Sequence, residues 1–195
     1  MTSQASVVTP ERFSTGLSGF GEWMDAIEVR QKEFQQHYDD FAPNDEDVAA
    51  IGALGERHGV KALVLGEDWC PDVWRGVPVI ARVAERTGME LRLFKRDENK
   101  DIMSEFLNQG EFESIPTIVF YDGDHRYLGH WIERAQVANE EIAEIRGEVM
   151  AGVPQEGPER DRAMARYRAA TTERAGPWRH AQVTEIRALL EGALG

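Results

Sequence analysis

The sequence predicts an α/β fold in which a central mixed sheet is flanked by helices. Short apolar runs typical of buried strands alternate with segments whose apolar residues recur every three or four positions, which is the helical period. The last two strand patterns are joined by an Asp-Gly turn, which makes them antiparallel neighbours. The predicted order of elements is helix, strand, helix, strand, helix, strand, strand, helix.

Two predicted helices precede the sheet. Apolar side chains between Leu17 and Phe41 recur at spacings of three, four and seven, which indicates one continuous helix that stops before Pro43. This stripe consists of Phe20, Trp23, Met24, Ile27, Phe34, Tyr38 and Phe41. The second helix begins after Asn44, a favoured N-cap residue, and ends at Gly59, a favoured C-cap residue.

A strand, a helix and a second strand follow. The apolar run Val60–Leu65 is typical of a strand that is covered on both faces of its sheet. The next helix ends at Gly88, and Glu90–Phe94 forms the second strand. The helix carries one apolar stripe, formed by Val73, Val77, Ile80 and Ala84. A strand, crossover helix and strand lie parallel with a right-handed connection.

The remaining elements complete the sheet. Asn99 is expected to cap a helix over Lys100–Gln109. Strands Thr117–Tyr121 and Arg126–Trp131 then form the hairpin around the Asp-Gly turn. A last core helix is predicted over Val137–Met150.

Composition limits the classes of function. The chain has 195 residues with 22 Lys and Arg against 35 Asp and Glu, a net charge of -13, so nucleic acid and anionic membranes are not expected partners. A single cysteine, Cys70, excludes an intrachain disulfide and a cysteine-based zinc site. No secretory signal or bilayer-length apolar run is present, and we expect a cytoplasmic protein.

Metal and cofactor sites are not expected. The five histidines fall at no metal-ligand spacing, and no glycine-rich loop of the phosphate-binding kind occurs. The prediction is therefore a protein without metal, nucleotide or other cofactor.

The chain divides into three predicted parts. Residues 1–43 form an N-terminal helical extension, 44–150 the α/β domain, and 151–195 a C-terminal helical extension. The C-terminal part contains two helices separated by a break at Gly176-Pro177. These helices either pack back on the domain or meet a second copy of the chain. We favour the first arrangement, and the oligomeric state stays open.

Several residues placed along this order resemble the thioredoxin-like superfamily. The segment Trp69-Cys70-Pro71-Asp72-Val73 is similar to the W-C-x-x-C turn and lies between the first core strand and its helix. Pro78 stands where family members kink that helix, Ile115-Pro116-Thr117 resembles the cis-proline segment, and Gly129 falls near the glycine of the last strand. Within the superfamily, the sequence most resembles small bacterial thioredoxin-like proteins with an EDWC-x-D-C type turn. The resemblance covers about residues 44–150.

Two departures from the family pattern change the chemistry that the resemblance implies. Val73 stands where the family has its resolving cysteine, so the turn cannot cycle between a dithiol and an intramolecular disulfide. Val64 stands six residues before Cys70, where many thioredoxins keep a buried acid that helps to move protons. The ordinary reductase reaction is therefore not expected.

The reactivity of Cys70 depends on opposing electrostatic effects. A sulfur at a helix N-terminus faces unpaired N–H groups, which lower a thiol pKa. Glu67, Asp68 and Asp72 act in the opposite direction, and Arg75 adds positive potential if it folds back towards the sulfur. We expect a thiol only modestly more acidic than free cysteine.

Three functions are compatible with one thiol at this position. In the first, the fold is a binding module whose docking surface is formed by Trp69, Trp74 and Pro116. In the second, Cys70 is the nucleophile of a monothiol exchanger, with a protein, a peptide or a glutathione-like small thiol as its partner, and an outside thiol resolves the mixed disulfide. In the third, Cys70 senses peroxide through a sulfenic acid. The residues expected to bind a partner are Trp69, Pro71, Asp72, Val73, Trp74, Ile115 and Pro116. His125 and His130 on the hairpin are expected to face solvent without a chemical role.

Overall fold

The computed structural model describes residues 6–195, and in this part a five-stranded mixed sheet is flanked by helices. The elements are α1 (Pro10–Ser14), β1 (Leu17–Ser18), α2 (Gly19–Ala26), α3 (Gln31–Asp39), α4 (Asp45–His58), β2 (Lys61–Gly66), α5 (Pro71–Thr87), β3 (Glu90–Lys95), α6 (Lys100–Met103), β4 (Thr117–Tyr121), β5 (Tyr127–Ile132), α7 (Gln136–Met150), α8 (Pro158–Glu173) and α9 (Ala175–Leu194). No helix within these residues is long and apolar enough to cross a bilayer.

The sheet confirms the predicted mixed α/β architecture. Its strand order is β1-β3-β2-β4-β5, with β2 and β3 parallel and the other neighbours antiparallel. The central strand β2 is buried from Ala62 to Gly66, as its continuous apolar run predicts. The two parallel strands are joined by α5, so the carboxyl end of β2 leads directly into the N-terminus of α5.

The predicted helix from Leu17 to Phe41 is wrong, because the chain breaks it into β1, α2 and α3. The break lies at residues 27–30, where one carboxylate oxygen of Asp68 accepts the backbone N–H groups of Glu28 at 2.8 Å and Val29 at 3.1 Å. Arg30 has a left-handed backbone with φ 63°, which ends helical geometry before α3. The apolar spacing survives this interruption because both short helices turn their apolar side chains towards the same core.

The predicted helix over Lys100–Gln109 is also too long. Only Lys100–Met103 is helical, and the following residues turn into an isolated bridge between Asn108 and Phe112. The Asn99 side chain makes no capping bond, because its amide oxygen accepts from Arg12 at 2.7 Å and its nitrogen donates to the Lys95 carbonyl oxygen. Arg12 therefore binds the Asn99 oxygen that was expected to cap the helix.

The helix predicted over Val137–Met150 forms as α7, but it is not the helix that covers the sheet. It packs on α8 around a small separate cluster formed by Ala138, Ile145 and Trp178. The main core is completed by α9, which packs on α4, α5 and β5 and contributes Val183 and Ile186. Residues before α4 also enter this core, so both terminal segments help to bury the sheet.

Candidate functional site

The turn that carries the cysteine joins the central strand to the helix behind it. Residues 67–70 connect β2 to α5, and Cys70 occupies the N-cap position with φ -83°. Pro71 follows at the first helical position, where its missing N–H is not needed and its fixed φ suits the helix. The sulfur therefore lies at the N-terminus of a 17-residue helix.

The structure brings Cys70 against the proline segment that lies 45 residues further along the chain. The Cys70 thiol donates a hydrogen bond to the Ile115 carbonyl oxygen at 3.7 Å, and the Ile115-Pro116 peptide bond is cis. Only 8% of Cys70 is exposed, and Ile115 is buried as well. The sulfur is therefore packed beneath the proline segment.

Burial dominates the acidity of this thiol. It raises the pKa of Cys70 above its usual value, while the backbone N–H groups of Val73 and Asp72 pull the pKa down and the charges of Asp72 and Glu133 raise it. The expectation of a slightly acidic thiol is wrong in direction, because loss of hydration outweighs the helix N-terminus. A neutral thiol is favoured at pH 7.

The three acidic residues near Cys70 have different hydrogen-bond and ion-pair partners. Glu67 accepts the backbone N–H of Asp97 at 2.7 Å, and Asp68 is bound to the loop before α3. Among the three acids in the turn, Asp72 is the one whose charge acts on the sulfur. Its carboxylate forms an ion pair with Arg134 at 3.2 Å, and burial raises the pKa of Asp72 despite this partner.

Glu133 and Arg134 lie beside the cysteine turn, and no local sequence pattern indicated them. They follow β5, whose pairing with β4 places Ile132 opposite Thr117. The Glu133 N–H donates to the Pro116 carbonyl oxygen at 2.7 Å, which fixes this segment next to the cysteine turn. The hairpin register was the signal that could have located them.

Arg75 does not fold back onto the sulfur. Its guanidinium carbon lies 4.7 Å from the centre of the Trp74 ring, and its Nη2 donates to Thr171 Oγ1 at 3.2 Å. Trp74 in turn stacks on His37, with ring centres 5.5 Å apart. Trp74 is therefore held by α3 and Arg75 by α8, and both side chains are half-buried.

Val73 and Val64, the two departures from the thioredoxin-like pattern, both lie in the apolar core. Val73 is fully buried, and a Cβ added at Gly66 would lie 2.8 Å from Val73 Cγ1. Val64 is also buried and pairs with Leu93 and Ile118 in the sheet. Both valines are therefore integrated into the core.

Pro116 packs against α5 at Gly76, which also contacts Gln182 of α9. A Cβ added at Gly76 would lie 3.2 Å from the Pro116 ring, and the Gln182 amide donates to the Gly76 carbonyl oxygen at 3.1 Å. Pro116 is buried, whereas Trp69 is 53% exposed and Pro71 is exposed. The accessible part of the predicted site is therefore the turn around Trp69.

A groove with a volume of about 570 Å³ opens beside this turn. Its lining comes from the turn and the start of α5, from Arg30 and Glu33 at the start of α3, from α7, and from α8 of the C-terminal segment. Its lining residues are Arg30, Glu33, Trp69, Pro71, Asp72, Trp74, Arg75, Arg134, Ile142, Met164, Tyr167, Arg168 and Thr172. No pattern in the sequence connected the C-terminal helices with the site.

The hairpin histidines are not solvent-facing, which corrects the expectation for both. His125 Nε2 lies 2.8 Å from the Val8 carbonyl oxygen, and the ring stacks on Tyr121. His130 is half-buried against Phe106, and burial lowers its pKa. Over residues 6–195, no group of three or more His, Cys, Asp or Glu side chains is arranged to hold a metal ion.

Comparisons with known proteins agree with the fold. The model of a thioredoxin family matches residues 18–146. A crystal structure of an HIV epitope-scaffold matches with a TM-score of 0.65 and 19% identity over 97% of this chain and 99% of that chain. A protein of unknown function from Pseudomonas aeruginosa matches with a TM-score of 0.63 and 20% identity, again over 97% and 99%. Among curated proteins, none matches this sequence. The family match spans most of the chain, which therefore belongs to the thioredoxin-like superfamily.

Proposed function

We propose that this chain is a thioredoxin-fold binding module that recognises its partner through the surface around Trp69 and does not turn over disulfides. The observation that carries this proposal is the state of Cys70, which is buried, hydrogen-bonded to a carbonyl oxygen and raised in pKa. Because the thiolate is the nucleophile in thiol chemistry, each of these features lowers reactivity.

The absence of a second cysteine in the sequence supports the same role. A thiol without a resolving partner stops at the mixed disulfide, and Val73 is packed where the resolving sulfur would be. The fold still presents an exposed tryptophan at the end of the central strand, next to a groove. We therefore expect Trp69 to contact a bound partner, a role that needs no reactive thiol.

A monothiol exchanger is the second candidate, and one observation favours it. The N–H groups of Asp72 and Val73 lie close enough to Cys70 to stabilise a thiolate. In this reaction the Cys70 thiolate attacks a substrate disulfide, one sulfur forms the mixed disulfide, and the other leaves as a thiolate that takes up a proton. A glutathione-like thiolate then attacks the mixed disulfide and releases Cys70.

Alkylation separates the two candidates. Because the chain has one cysteine, the mass increase after iodoacetamide treatment measures Cys70 alone. We expect labelling at pH 7 to be at least about tenfold slower in the native protein than in the same protein unfolded in guanidinium, because thiolate is the reacting form.

An insulin reduction assay completes the test. With glutathione supplied as the recycling thiol, we expect the same turbidity rate for the wild type and for Cys70→Ser. Native labelling as fast as in guanidinium, or turnover that disappears in Cys70→Ser, contradicts the binding role and supports the exchanger.

A further inference from the structure

We propose that the groove beside Trp69 binds a small organic anion whose carboxylate, sulfonate or phosphate group is attached to a flat ring. This inference names the class of ligand for the binding role and rests on that proposed function. It is carried by the size of the groove, by the excess of positive charge in its lining, by two buried unpaired N–H donors and by its aromatic side chains.

The dimensions suit a small molecule. A volume of about 570 Å³ lies within the range of ligand pockets, roughly 300 to 1,000 Å³. The lining comes from distant parts of the chain, namely Arg30 and Glu33, the cysteine turn, and α8. A ligand here contacts several elements at once and is enclosed on more than one side.

The charges of the groove are positive although the protein as a whole is strongly acidic. Four arginines and two carboxylates line it, in a chain with a net charge of -13. Both carboxylates are already paired, Glu33 with Arg30 at 2.9 Å and Asp72 with Arg134 at 3.2 Å. Arg75 and Arg168 form no ion pair within 4 Å with any residue from 6 to 195, and Arg75 is influenced by the charge of Asp72. With four arginines against two carboxylates, the lining keeps an excess of positive charge that suits an anion.

Two of the residues that line the groove contain a nitrogen donor without a partner among residues 6–195. The Trp74 indole Nε1 and the Arg75 Nε are buried and make no hydrogen bond within the described part of the chain. Both residues line the groove. Leaving a buried donor unpaired costs about 1 to 3 kcal/mol. Both nitrogens are covered as atoms, so the oxygen of an anion reaches them only when the surrounding side chains shift on binding, and the unpaired donors favour that shift.

Aromatic and apolar side chains define the rest of the ligand. Trp69 is 53% exposed at the turn, and Tyr167, Ile142 and Met164 line the opposite wall. A ring stacked on indole or phenol faces buries apolar area with little loss of internal freedom. An inorganic anion would leave these walls uncovered, which favours an anion that carries a ring.

The probe for this site is 8-anilino-1-naphthalenesulfonate, an aromatic sulfonate whose fluorescence rises when it is bound. We expect saturable binding of one probe per native chain and a higher melting temperature in its presence, because the probe binds the folded state. The uncharged N-phenyl-1-naphthylamine has nearly the same rings without the anion. It is expected to bind about tenfold more weakly, since charge-assisted hydrogen bonds are lost.

A matched pair of variants locates the site. Arg168→Gln removes a groove charge and is expected to raise the Kd of the sulfonate probe by about threefold, the effect of one exposed charge. Arg166→Gln makes the same change on an exposed part of α8 that does not line the groove, and its Kd is expected to equal that of the wild type.

Three outcomes overturn the inference, namely no saturable binding, equal affinity for the charged and neutral dyes, or equal effects of the two arginine variants. Cys70→Ser is expected to bind the sulfonate probe with an unchanged Kd, because Cys70 does not line the groove. Slow alkylation without probe binding overturns the ligand class and leaves the binding role intact. Probe binding together with Cys70-dependent turnover overturns the binding role alone.

Discussion

Two local effects oppose each other at Cys70, and burial is the larger one. A helix N-terminus stabilises an anion by about 0.3 to 2 kcal/mol, depending on exposure. Cys70 has this position at the start of α5, yet it is almost fully buried, and its thiol donates a hydrogen bond to the Ile115 carbonyl oxygen. The result is a thiol whose pKa lies above that of free cysteine.

The charge of Asp72 gives a test at this scale. Because Asp72 raises the pKa of Cys70, we expect Asp72→Asn to lower that pKa and to raise the iodoacetamide labelling rate at pH 7 by about threefold, which corresponds to half a pKa unit. Labelling rates over a pH series measure the change. A slower rate in Asp72→Asn would mean that this carboxylate does not act on the sulfur.

Asp68→Asn is the matched control, since Asp68 is close in sequence but binds the N–H groups of Glu28 and Val29. The labelling rate of native Asp68→Asn at pH 7 is expected to match that of the wild type. Its free energy of unfolding is expected to fall by about 1 to 2 kcal/mol, because two charge-assisted hydrogen bonds weaken.

His37 makes the stability of the protein depend on pH. Burial and the positive charges of Arg179 and Arg75 lower the pKa of His37 to about 4, although Asp40 and Glu33 act in the opposite direction. The unfolded chain takes up a proton below about pH 6.5, whereas the native state stays neutral down to about pH 4. The neutral imidazole therefore favours folding above pH 6.5, and this contribution is lost as the pH falls.

We expect His37 to reduce the free energy of unfolding by on the order of 2 kcal/mol between pH 7 and pH 4.5. Urea unfolding of the wild type and of His37→Phe at both pH values isolates this contribution. Phenylalanine keeps a ring next to Trp74 but does not titrate. Equal losses of stability in the two proteins would contradict the assignment.

At the level of elements, α9 has the role that the sequence pattern suggested for α7. Ile186 is fully buried in the main core, while Ile142 of α7 is half-buried beside the smaller cluster. We expect Ile186→Ala to lower the free energy of unfolding by about 2 to 5 kcal/mol, because it leaves a cavity in the core. Ile142→Ala is expected to cost about 1 kcal/mol. Urea denaturation measures both, and equal losses would contradict this packing.

The whole molecule depends on its terminal segments for a closed core. Residues 44–150, the predicted domain, lack Trp23 and Phe34 on one side and Ile186 and Leu190 on the other, all of them buried in the full chain. A fragment of residues 44–150 is therefore expected to lose cooperative thermal unfolding by circular dichroism. A sharp transition at the melting temperature of the full chain would show that the fragment is a self-sufficient domain.

Local patterns in the sequence were sufficient for the strands β2 to β5, the caps of α4 and the position of the site. The apolar run of β2, the Asn44 cap and the Asp-Gly turn depend on neighbouring residues, so their spacing encodes them. The same holds for the place of Cys70 between β2 and α5 and for the valine three residues later. These features need no knowledge of distant contacts.

The break before α3, the choice of the covering helix and the behaviour of the thiol were decided only in the folded chain. Asp68 reaches back 40 residues to the Glu28 N–H, and Arg134 reaches 62 residues to Asp72. An apolar stripe predicts that a helix is buried, but it does not indicate which other element the helix packs against. A pKa depends on the water and charges that tertiary packing removes or brings near, and spacing along the chain contains neither.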